Sequence, residues 1–350
     1  MLVRRAIGLG VLALALGACG SKSATGADAG VVDAGPVDAG LRDAGPNDAG
    51  ALDAGPEDAG APDSGIIDAG PVDAGRLARG EYLLTLDAGA FPPTPAHPSA
   101  LVYIPDGFNL APPLDVIVYI HGFNNCVVNI VRDAGESCDP DAGLPVSNAY
   151  ALEAQLDASG KNAILLAPEI AFDQATGAPG TLADDGGFRA LLAEALVDMQ
   201  PVLGTFTVDD VGTVVLASHS GGYQAAAGIA TRGGVPVQEL WLFDSLYGDF
   251  SDFDAWVNQD LASLSTLQRR FADVYTCCGG TLANSQDMAD RAASWVGADS
   301  GVLVDDRTTD TWPPATYLHG LLFKSSALAH DGVPRYYFQQ LLQTSSLRDR

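Results

Sequence analysis

The chain has 350 residues, 47% of them hydrophobic, with 44 acidic against 18 basic side chains and a formal charge of −26. That apolar content supports a buried core, and the length suits one large domain or two ordinary ones. The charge argues against nucleic acid as a partner, since phosphate binding requires clustered Lys and Arg, and against a basic patch on anionic lipid.

Arg4 and Arg5 precede the apolar stretch Ala6–Leu16. It has about half of the roughly 20 apolar residues that span a bilayer, so residues 1–19 read as a signal peptide. The end, Leu16-Gly17-Ala18-Cys19, resembles the bacterial lipobox. That resemblance implies export and a lipid-modified Cys19 as the first mature residue. Gly20 and Ser21 lack the Asp that retains some lipoproteins in the inner membrane, so the outer membrane or cell surface is expected.

From Asp28 to Asp73 an Asp recurs every five residues, opening Asp-Ala-Gly everywhere except Asp63-Ser64-Gly65. A period of five matches neither helix nor strand, and the segment has too few large apolar residues to offset ordering entropy. Residues 20–76, with 3 basic and 11 acidic side chains, therefore read as a disordered linker. A calcium-binding repeat is the sharper alternative. In a polyproline-like chain, neighbouring Asp residues would stand roughly 15 Å apart, too far to share a cation. As a coil the linker spans roughly 40 Å.

Residues 77–350 alternate strands and helices. Strands are expected at Glu81–Leu86, Ala100–Ile104, Asp115–Ile120, Asn162–Ala167, Val211–Ala217, Gln238–Phe243, Phe271–Tyr275 and Leu321–Lys324. Helices are expected at Ser147–Ala158, Phe188–Leu203, Gly222–Ala230, Phe253–Leu264, Asn284–Val296 and Pro334–Gln343. This alternation implies an α/β class with a doubly wound, mostly parallel sheet in one domain. An eight-repeat barrel is the competing architecture, disfavoured by an opening strand pair that looks antiparallel.

The most informative run is Val214-Val215-Leu216-Ala217-Ser218-His219-Ser220-Gly221-Gly222-Tyr223. A buried strand stops at Ser-x-Ser-x-Gly and an Ala-rich helix follows. This is the setting of a nucleophile elbow, a strained turn that exposes a Ser and needs small residues two before and two after it. Ser218 and Gly222 satisfy that demand. The helix behind Ser220 offers free N–H groups to a developing oxyanion. Upstream, Ile120-His121-Gly122-Phe123 ends the third long strand.

On these motifs residues 80–345 resemble an α/β-hydrolase of the esterase/lipase type. The resemblance implies Ser220 as nucleophile, with the N–H groups of Phe123 and Gly221 as oxyanion hole and His121 structural. The triad order Ser, acid, His implies His330 as base, in the segment before the last helix; His319 is the other candidate. For the acid, Asp244 ends the sixth strand, a position used by some lipases, while Asp287 and Asp305 or Asp306 stay open.

Cys126, Cys138, Cys277 and Cys278 are an even set in an exported chain, with three possible pairings. Cys126–Cys138 is favoured because it would pin the loop after the oxyanion strand, leaving Cys277 and Cys278 vicinal or unpaired. Their spacing lacks Cys-x-x-Cys, no phosphate or dinucleotide motif occurs, and no metal or cofactor is expected. The function expected is a lipid-anchored serine hydrolase acting on a small or polymeric carboxylic ester. A peptidase or amidase on the same triad and a non-catalytic surface binding module are the alternatives.

Overall fold

The computed structural model describes residues 76–77 and 79–350, apart from 95, 96, 176, 298 and 299. The signal peptide, Cys19 and the Asp-Ala-Gly repeats lie outside the described residues. Among those described, no helix is long and apolar enough to cross a membrane.

The chain opens with β1 (Arg76–Leu77), β2 (Gly80–Leu84), β3 (Ala100–Ile104), β4 (Phe108–Asn109) and β5 (Leu114–Ile120). Helices α1 (Val127–Val131) and α2 (Leu152–Ser159) lead to β6 (Ile164–Pro168), then α3 (Gly187–Asp198) and α4 (Gln200–Leu203). Strand β7 (Val211–His219) feeds α5 (Tyr223–Arg232), and β8 (Glu239–Phe243) feeds α6 (Phe250–Asn258) and α7 (Leu261–Ser265). The chain closes with β9 (Arg270–Thr276), α8 (Leu282–Val296), β10 (Leu303–Asp306), β11 (Leu321–Ser326) and α9 (Gly332–Thr344).

Nine strands form one sheet in the order β10-β11-β9-β8-β7-β5-β6-β3-β2, while β1 and β4 pair separately. Only β3 runs against its neighbours β2 and β6; every other pairing in the sheet is parallel. Read from β2 to β11, this is the strand order of the α/β-hydrolase fold, with β10 added at the far edge. An open sheet with two edges excludes the barrel.

Parallel strands covered on both faces should be apolar throughout, and β5 shows why. All seven of its residues are buried. Val116, Val118 and Ile120 enter a core shared with α3, α5, α6 and α8. Ile117 and Tyr119 enter the opposite core with α1, α2 and α9.

Several expected boundaries shift for local reasons. The helix expected from Ser147 begins only at Leu152, because Ala151 takes a left-handed conformation at φ 54°. Ser147 is no cap; its hydroxyl donates to the Asn124 carbonyl. The helix expected over 253–264 is two, interrupted where Asp260 caps α7 by accepting from the Ser263 N–H at 3.1 Å. Helix α1 was not expected, since Val-Val-Asn-Ile-Val has strand composition. Strand β10 was missed because half of it is Asp.

A buried ion pair ties the starting ends of β8 and β9 to the C-terminal segment. Arg270 meets Glu239 at 3.1 Å with both side chains nearly inaccessible. Arg270 also donates to the carbonyls of Tyr317 and Thr344, and Glu239 accepts from Ser346. Removing one partner strands a buried charge. Arg270→Ala is expected to destabilise the domain by about 3–5 kcal/mol, read by thermal or denaturant unfolding.

Candidate active site

The C-terminal ends of the parallel strands gather the polar residues. Ser220 follows β7 and holds φ at 52°, a left-handed conformation that a residue with a side chain adopts only under constraint. The constraint is a close approach of the turn to β5. A Cβ on Gly122 would lie 2.7 Å from the Cβ of Ser220, and one on Gly222 would lie 2.7 Å from the His121 carbonyl oxygen. The elbow therefore needs glycine on both sides of the contact. The backbone N of Phe123 sits 3.5 Å from where a Gly221 Cβ would be, so the two N–H groups expected to serve one oxyanion are neighbours.

The carboxylate of Asp244 lies at the end of β8, 1% exposed, on a residue at φ 46°. It accepts from the Thr276 N–H at 3.1 Å, from the hydroxyls of Thr276 and Thr281, and from His330 Nδ1 at 2.5 Å. Burial opposes the charge on Asp244. The His330 bond and charge, with the donors from Thr281 and Thr276, outweigh it and hold the carboxyl below its ordinary range. Burial likewise opposes a charged His330, but the bond and charge of Asp244, with the charge of Asp331, outweigh it and raise the imidazole.

The other expected acids and base stand elsewhere. Asp287 is exposed on α8, Asp305 binds Arg307, and Asp306 binds Lys324. His319 precedes β11, where its carbonyl accepts from Arg270. His121 is fully buried: its Nδ1 bonds the Gly122 carbonyl and its Nε2 accepts from the Ile170 N–H.

Ser220 and His330 line one cleft of about 300 Å³ with Phe123, Asn124, Pro145 and Val146. Among the described residues no hydrogen bond joins the Ser220 hydroxyl to His330; in ligand-free sites such bonds commonly tighten only when substrate is held. Phe123 is 43% and Val146 69% exposed, giving the cleft an apolar rim. The lining residues Phe123–Asn125 and Pro145–Asn148 flank the segment closed by the Cys126–Cys138 disulfide. The sulfurs of Cys277 and Cys278 lie 3.1 Å apart just beyond β9. A larger cavity of about 560 Å³, lined by Trp256, Arg269 and Pro236 among others, contains none of these groups. Among the described residues no cluster of three His, Cys, Asp or Glu could hold a metal ion.

Sequence reasoning missed the donors Thr276 and Thr281 and the neighbours His219 and Asp331. The last two had a signal, since each adjoins a residue already singled out. The threonines had none, because only folding brings residues 276 and 281 to residue 244.

No family model matches the chain, and no curated protein matches it by sequence. Solved structures do resemble it. The feruloyl esterase module from Clostridium thermocellum is 13% identical, covering 79% of this chain and 98% of that one at a TM-score of 0.46. Fluorophosphonate-binding serine hydrolase F of Staphylococcus aureus is 10% identical, covering 77% and 98% at 0.45. The S-formylglutathione hydrolase of Staphylococcus aureus is 10% identical, covering 78% and 97% at 0.43.

The Asp244–His330 pair has a measurable consequence. In Asp244→Asn the imidazole keeps its burial and loses its bonded charge. Its titration, followed by NMR of the ring protons, is expected to fall from above the ordinary value of 6.5 to a lower pH.

Proposed function

We propose that the protein is a serine hydrolase acting on carboxylic esters through Ser220, His330 and Asp244. The observation that supports this most is the charged 2.5 Å bond between Asp244 and His330, beside a cleft that also holds Ser220 on its left-handed turn. A buried carboxylate fixes the imidazole with Nδ1–H toward it, leaving Nε2 free to accept a proton.

His330 takes the proton of the Ser220 hydroxyl as its oxygen attacks the ester carbonyl carbon. The carbonyl electron pair moves to oxygen, and the N–H groups of Phe123 and Gly221 stabilise it. Collapse expels the alcohol, which receives the proton from His330. Water then repeats the sequence on the acyl-enzyme and frees the acid. The raised His330 suits this cycle, because the imidazolium formed at each step is the form that Asp244 stabilises. The open cleft and its apolar rim accept either a small ester or one chain of a polymeric ester.

The protein is exported, with Cys19 lipidated at the outer membrane or cell surface. The linker expected over residues 20–76 ends at residue 75, since Arg76 belongs to β1, and residues 20–75 join the lipidated Cys19 to the catalytic domain. The acidic lipobox-to-domain segment and the absence of a basic patch in the sequence support a tethered rather than adsorbed enzyme.

Hydrolysis of p-nitrophenyl butyrate by the wild-type chain and by Ser220→Ala, His330→Ala and Asp244→Asn tests the reading. Each substitution is expected to lower kcat by about 10⁴-fold or more with folding intact by circular dichroism. Equal rates in all four proteins would overturn it. A matched amide that is cleaved faster than the ester would move the assignment to a peptidase or amidase.

A further inference from the structure

A second chain of polar contacts flanks the Asp244–His330 pair and has no part in the cycle above. The Tyr150 hydroxyl stands 2.8 Å from His219 Nδ1 and 2.9 Å from Asp331 Oδ1. His219 Nε2 stands 3.3 Å from the His330 carbonyl oxygen, and the two imidazole rings are 4.3 Å apart. Asn148 donates to the other oxygen of Asp331 at 2.8 Å. Tyr150 and His219 are 1% and 2% exposed, so solvent does not replace these partners. One phenol thus touches the residue before the nucleophile and the residue after the base.

Proton counting shows how the chain is ordered. Neutral His219 and Tyr150 together bring two protons to three contacts. A charged acceptor makes the stronger bond, so Tyr150 donates to Asp331. His219 Nδ1–H then donates to the Tyr150 oxygen, and Nε2 is left without a proton for the His330 carbonyl, so His219 meets His330 through ring packing rather than a hydrogen bond. Burial and the charge of His330 push His219 down to about 3, so the ring stays neutral beside the imidazolium.

Backbone strain points to the same place. Among the described residues six non-glycines have positive φ, and four of them are Asn124, Ala151, Ser220 and Asp244. Ala151 follows Tyr150 directly in the chain. Such conformations persist only where surrounding structure over-determines them, and they gather at functional sites.

We propose that Tyr150 is a positioning residue that, through Asp331, holds the loop bearing His330 in register with Ser220 and keeps the Asp331 charge against the imidazole. The kinetic part of the proposal rests on the hydrolase reading; the titration part does not. The titratable groups facing His330 are Asp244 from the end of β8, Tyr247 beyond it, His219 from β7, Asp331 on its own loop and, through Asp331, Tyr150.

The test is Tyr150→Phe, which removes one oxygen and keeps the buried ring, beside Asp331→Asn and the double variant. In Tyr150→Phe kcat is expected to fall by about tenfold or more with KM within twofold. The acid limb of the kcat/KM profile moves to lower pH, because Asp331 is released toward solvent. His330 followed by NMR shows the same shift in protein that hydrolyses nothing, which separates failure of this proposal from failure of the hydrolase reading. The double variant is expected to shift the titration no further than Asp331→Asn alone, since both act through one contact. An unchanged His330 titration in Tyr150→Phe, or additive shifts in the double variant, would overturn the proposal. If Tyr150→Phe does not fold, Asn148→Ala, which frees the other oxygen of Asp331, must lower the same titration for the proposal to stand.

Discussion

A carboxylate held inside the protein is the interaction around which the site is arranged. Asp244 is almost wholly inaccessible, and an unpaired charge there would cost several kcal/mol. Its donors come from three separate places: the end of β9 through Thr276, the start of α8 through Thr281, and the loop before α9 through His330. Each donor is local in cause, but together they fix where the strand ends, the helix start and the imidazole loop must stand. The sheet makes this possible. Parallel strands deliver β7, β8, β9 and β11 to one edge, so residues 220, 244, 276 and 330 meet without a long excursion of the chain.

The same edge concentrates backbone strain. Ser220 and Asp244 both hold left-handed conformations that cost of order 1–3 kcal/mol each. That cost is affordable only because β7 and β8 are buried along their cores and resist relaxation. Gly122 and Gly222 express the same constraint from the other side, since a single methyl group at either would meet backbone or Ser220 below 3.0 Å. Tightness at the elbow and rigidity of the sheet are one requirement.

The sheet and its helices were legible because their patterns are strong: Val116–Ile120 of β5 and Val214–Ala217 of β7 are apolar runs too short for helices, and α5 begins at a glycine turn. Boundaries failed where one backbone conformation overrode pattern, as at Ala151 and Asp260. Strand β10 pairs only at an edge, so its Asp residues remain exposed enough to hide it. The candidates Ser220, His330 and Asp244 could be singled out in the sequence because each sits where a strand ends beside small or polar residues. Thr276, Thr281 and Tyr150 could not, because their value comes from contacts 32, 37 and 181 residues away in sequence. Local sequence pattern cannot encode a partner at that distance.

The Cys126–Cys138 disulfide belongs to the same argument. Its immediate effect is to close residues 126–138, and Asn129, buried inside that segment, is bonded through its side chain to the backbone of Glu136. The Asn129 carbonyl in turn accepts the N–H of Tyr150 at 3.2 Å, and Arg132 accepts that of Ala151 at 2.9 Å. The covalent link thus fixes the backbone from which Tyr150 reaches Asp331. The cleft residues on either side of that segment are thereby anchored to α1, which packs into the core. That anchoring comes from covalent closure together with burial, since Val127, Ile130 and Val131 of α1 are fully inaccessible.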